Sequence, residues 1–172
     1  AWEAGYRYAE FWLNQKILQN LDDTIRLSKS YPFGYALHCP NQLDLSQQTL
    51  ENLTILYRET RASCLIIHDL QFARYSACLK QLSPEMVLAV ENHEFSWDQF
   101  MEWQDGYDFL TLDIEHLWLF TLQSGSLSEV CSRVRDFLGK SGPKLKHVHL
   151  PGYSPGNIEH RPMYCSRDFV FA

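Results

Sequence analysis

Six short apolar runs rich in β-branched and aromatic residues punctuate the chain: Tyr6–Trp12, Tyr35–His38, Ser63–His68, Met86–Glu91, Phe109–Asp113 and Leu145–Leu150. Each has the length of a strand, about four to seven residues. Their first residues lie 23 to 36 positions apart, too far for hairpins and far enough for a helix between each pair. The intervening segments carry helical signals. Leu21–Ser30 opens on Asp22 and Asp23 and brings Leu21, Ile25 and Leu27 near one face. Ser46–Arg61 starts on a capping serine and spaces Leu50, Leu53, Leu56 and Tyr57 helically. Ser96–Trp103 and Ser128–Leu138 also begin on serine, the second ending before Gly139, and the stretch from Asp69 to Leu82 is expected to be helical. This alternation predicts an α/β protein with a parallel sheet.

An open doubly wound sheet would be favoured by a glycine-rich phosphate loop after the first strand, and the chain has none. The residues expected at the C-terminal ends of the strands favour the closed alternative. In order they are Glu10, His38, His68, Glu91, Asp113 and His149, every one a metal-ligand or acid–base type. In a parallel barrel such ends converge on one rim. The expected fold is therefore an incomplete (β/α)8 TIM barrel, about six of its eight units spanning 1–172 as a single domain. Asp113 and His116 (DIEH) can turn into one site just past a strand end. His147 and His149 (HVH) share a strand face by the period of two, with His147 one layer deeper and packing. His93 is at most a support to the site. Trp2 and Trp103 read as core, whereas Trp12 and Trp118 lie at strand ends and could flank a ligand.

Composition narrows the function classes. With 172 residues, 45% apolar and 21% charged, the chain has a globular balance. A net charge of −6 gives no footprint for a nucleic-acid backbone. No apolar run approaches the roughly 18 residues of a membrane span, and no signal-peptide pattern opens the chain. Cys39, Cys64, Cys78, Cys131 and Cys165 are odd in number and form no CxxC pair, which suits reduced thiols in a cytoplasmic protein. The opening AWEAGYRYAEFW, without Met, and the closing SRDFVFA suggest a piece of a longer protein. Open strand edges in such a piece would favour self-association, so a homo-oligomer is among the expected partners.

Four stretches resemble a known group of proteins: LHCPNQLDLS (37–46), VLAVENHE (87–94), LTLDIEHLW (110–118) and KHVHLPGYSPGNIEHRP (146–162). They are similar, in order and over nearly the whole chain, to the xylose isomerase-like barrel superfamily of sugar phosphate isomerases and epimerases. The resemblance implies one divalent cation (Mn²⁺, Mg²⁺, Co²⁺ or Zn²⁺) held by Glu91, Asp113 and His149, with a fourth ligand on an eighth strand that the chain does not reach. It implies Glu91 as general base, His116 at the substrate or supporting the metal, and His160 and Arg161 facing an anionic or polyhydroxy substrate. His38, His68, Trp12 and Trp118 complete the expected substrate-binding set, for a small sugar or polyol and no nucleic acid. Two other readings stay open. Endonuclease IV-type enzymes of the same barrel hold three zinc ions with extra histidines where His38 and His68 stand, although their Asp-Arg-His triplet is replaced here by Glu159-His160-Arg161. A barrel that binds a sugar without turnover is the other.

Overall fold

A computed structural model describes residues 2–150. The chain is an α/β protein of alternating strands and helices. It divides into two compact units, one ending at Val90 and the other beginning at Glu91.

The first unit runs β1 (Tyr8–Trp12), α1 (Gln15–Gln19), α2 (Leu21–Lys29), β2 (Gly34–His38), α3 (Gln47–Thr60), β3 (Leu65–His68), α4 (Asp69–Leu82) and β4 (Leu88–Glu91), the last residue of which opens the second unit. Within it the strands lie in sequence order. β1 pairs parallel with β2 from Tyr8↔Gly34 to Trp12↔His38, and β2 pairs parallel with β3 through Leu37↔Leu65 and His38↔Ile66. At Gly34 the strands come close: a Cβ there would lie 2.8 Å from the Tyr8 ring, which would have to turn aside. β2, β3 and β4 are buried almost continuously and do not alternate, the mark of parallel strands covered on both faces. Leu37, Leu53, Leu56, Leu65, Ile66, Ile67, Leu79 and Met86 are fully buried. α3 starts where Ser46 Oγ accepts the Thr49 N–H (3.2 Å) and stops at Arg61, whose φ of 51° ends the helix in the left-handed region.

The second unit continues with α5 (Trp97–Gly106), β5 (Leu110–Asp113), α6 (Ile114–His116), a π-turn over Leu117–Thr121, α7 (Leu127–Ser141), a 3₁₀ turn over Gly142–Lys144 and β6 (Leu145–His149). β5 and β6 are parallel, with Thr111↔His147, Leu112↔Val148 and Asp113↔His149 opposite one another after a register shift at Leu110/Thr111. An aromatic cluster packs α5 and α7 together: Trp103 stacks on Phe137 (centroids 5.6 Å, planes 12° apart) and meets Phe100 at 5.0 Å.

The expected strands all form, and all six start and end within two residues of the sequence reading. Three details differ. α7 is capped by Ser126, whose Oγ accepts the Glu129 N–H (3.2 Å), and not by Ser128; it also runs through Gly139 to Ser141. α1 and α6 were not expected, because five and three residues are too short to show a helical period. Glu10 is not a strand end: β1 continues through Phe11 and Trp12, which pair with Leu37 and His38.

Candidate metal centre

The second unit gathers three of the expected residues at the ends of successive strands. Glu91 ends β4, Asp113 ends β5 and His149 ends β6. Their ligating atoms all lie within 4.8 Å of one another. His149 Nδ1 stands 2.7 Å from Glu91 Oε1 and 3.2 Å from Asp113 Oδ2. Glu91 is 2% exposed and Asp113 0%. Two carboxylates this deeply buried repel each other strongly, since low local dielectric strengthens like-charge repulsion and removes hydration. A neutral imidazole leaves that charge uncancelled, and a protonated one cancels half of it. A divalent cation would cancel all of it. Donors about 2.0–2.2 Å from a shared ion sit roughly 3–4 Å apart; the 3.2 Å separation meets that range, and the 2.7 Å one, a hydrogen-bond distance, would need to open slightly around an ion. The mix of two carboxylates and one imidazole suits a hard or borderline cation.

Local structure explains how Asp113 is held. It is at once the last residue of β5 and the cap of α6: Oδ1 accepts the His116 N–H (2.8 Å). That turn brings His116 back toward β4, where its Nδ1 donates to the Asn92 carbonyl (2.9 Å). A carbonyl oxygen only accepts, so Nδ1 carries the ring proton and Nε2 is the acceptor nitrogen of the neutral ring. The His116 ring also meets His93 edge-on (centroids 4.9 Å) and Phe120 (5.7 Å). His147, opposite Thr111, packs beside His149 at 5.2 Å between centroids.

The other expected residues divide. Trp12, His38 and His68 form a row of rings in the first unit, with centroids 5.2 Å apart from Trp12 to His38 and 5.6 Å from His38 to His68. His38 is buried and its Nδ1 donates to the Cys39 carbonyl (2.8 Å). The loop after β2 is pinned by Gln71 of α4, whose Nε2 donates to the carbonyls of Pro40 (2.6 Å) and Gln42 (2.9 Å). Trp118 lies in the π-turn of the second unit, and its indole N–H is committed to the Gly125 carbonyl (2.8 Å), so only its ring could face a ligand. His160 and Arg161 lie outside the described residues. Sequence reasoning assigned no role to Asn92, although it is fully buried beside Glu91 and bonded to Asp113. Its signal was the polar Glu-Asn pair at the end of an apolar run. No protein-family model matches the chain, and a search of curated proteins finds no match either.

Proposed function

We propose that Glu91, Asp113 and His149 hold one divalent cation, and that the protein uses it to interconvert or epimerise a small keto-sugar, polyol or related hydroxy-carbonyl compound. The scaffold proposed for this chemistry is a (β/α)8 barrel of which the chain carries about six units; parallel pairing and strand–helix alternation support it. The observation that carries the functional reading is the meeting of two buried carboxylates and one imidazole at three strand ends. When bound, the cation would supply Lewis acidity at a substrate carbonyl and its neighbouring hydroxyl.

The chain's own residues would do the rest. Glu91 has two carboxylate oxygens, so one can face the cation while the other takes a proton from one carbon and returns it to the next. His116, its ring fixed by the Nδ1 bond to Asn92, would stand at the substrate or support the cation. The Trp118 ring offers an apolar face of the kind that covers a sugar.

The test is exchange of carbon-bound hydrogen with deuterated water across a panel of ketoses and inosose-like polyols, with and without added Mn²⁺. Metal-dependent exchange is expected, and Glu91→Gln should lower it by about 100-fold or more, the scale of a general acid–base group. Undiminished exchange in Glu91→Gln would remove Glu91 as the base. Binding without exchange would favour the non-catalytic reading, and cleavage of abasic-site DNA the endonuclease reading.

A further inference from the structure

We infer that Asn92 is a positioning residue that sets the cation-binding geometry of Asp113 and the ring orientation of His116 together. The inference rests on the reading of Glu91, Asp113 and His149 as a cation site. Asn92 is fully buried and directly follows Glu91. Its side-chain Nδ2 donates to the Asp113 carbonyl (2.9 Å), and its Oδ1 accepts the Asp113 N–H (2.7 Å). One side-chain amide thereby reproduces both halves of a strand–strand exchange, at the residue where β5 gives way to α6. Its own N–H also reaches the Thr111 carbonyl at 3.4 Å.

With the Asp113 peptide gripped on both sides, its carboxylate is free to divide its oxygens. Oδ1 caps α6 at His116 N, and Oδ2 turns toward His149. The Asn92 carbonyl then takes the His116 Nδ1 proton. A chain of four bonds so connects Asn92 to one metal-ligating carboxylate and to the imidazole beside it. The chemistry calls for asparagine. Aspartate offers no donor to the Asp113 carbonyl and would add a third negative charge. Leucine keeps the shape but leaves a buried N–H and C=O without this partner. Asn92 touches backbone and an imidazole, not the ion, so it acts through Asp113 and His116.

The experiment titrates the purified protein with Mn²⁺, followed by the electron paramagnetic resonance of the unbound ion. Wild type, Asp113→Ala, Asn92→Ala and Phe137→Ala are compared. Phe137 is a buried aromatic of α7 in the same unit and reports on general loosening. Asn92→Ala should weaken Mn²⁺ binding about 10–100-fold, the usual effect of losing a ligand's supporting partner. Phe137→Ala should lower the melting temperature and leave the affinity unchanged. In parallel, nitrogen-15 spectra of the cation-free wild type should show His116 as its Nδ1–H tautomer. Wild-type affinity in Asn92→Ala, an equal loss in Phe137→Ala, or an Nε2–H tautomer would overturn the inference while leaving the cation site standing. A wild type that binds Mn²⁺ no better than Asp113→Ala would overturn the cation reading and the inference with it.

Discussion

At Asp113 one carboxylate serves two neighbours: Oδ1 closes the turn that carries His116, and Oδ2 faces His149. Removing the side chain should therefore disturb both the cluster and the start of α6. The same scale offers a contrast in Cys39, which also follows a strand but lies fully buried beyond β2. Burial pushes its thiol from 9.0 up to about 12, because the thiolate would lose its hydration. The sign follows directly. Between these values the unfolded chain releases the proton while the fold retains it, so this group's contribution to stability is whole below about pH 9 and is lost as pH rises toward 12. At pH 8 the folded chain should resist iodoacetamide at Cys39, whereas the half-exposed Cys78 and Cys131 react. Peptide mapping with and without denaturant checks this. Labelling of Cys39 in the folded chain at the rate of Cys78 would contradict it.

Among the elements, α7 gives the sharpest test of where a helix starts. Ser126 Oγ satisfies the Glu129 N–H, whereas Ser128 lies exposed inside the first turn. Ser126→Ala should cost about 1 kcal/mol, and Ser128→Ala should be neutral or slightly stabilising, since alanine is the better helix former. Urea denaturation of the two variants measures the difference; the reverse order would place the cap at Ser128. The case also shows what the sequence can and cannot convey. Both serines precede the same apolar spacing, and only the backbone decides which one stands outside the helix. Strand ends were easier, because His38, His68, Glu91, Asp113 and His149 are each the polar residue on which a mostly apolar strand ends. Glu10 misled for the opposite reason: Phe11 and Trp12 continue the strand beyond the polar residue. The Asn92 clamp leaves only the Glu-Asn pair as its trace in the sequence, since the bonds themselves depend on a side chain meeting a peptide 21 positions away.

For the molecule as a whole, the described residues include no helix long and apolar enough to cross a membrane. Each unit encloses its own apolar core, and the Glu91–Asp113–His149 cluster belongs to the second. A ligand that binds only the folded state stabilises it by mass action, so a cation held there should raise the melting temperature in proportion to the logarithm of its concentration. Occupancy is the more direct observable. The protein is loaded with Mn²⁺ or Zn²⁺, freed of excess by gel filtration and subjected to elemental analysis beside a variant in which Glu91, Asp113 and His149 are all alanine. The account predicts about one equivalent in the wild type and almost none in the variant, because the folded site is what holds the ion. Stoichiometric metal retained by the triple variant, or none in the wild type, would contradict it.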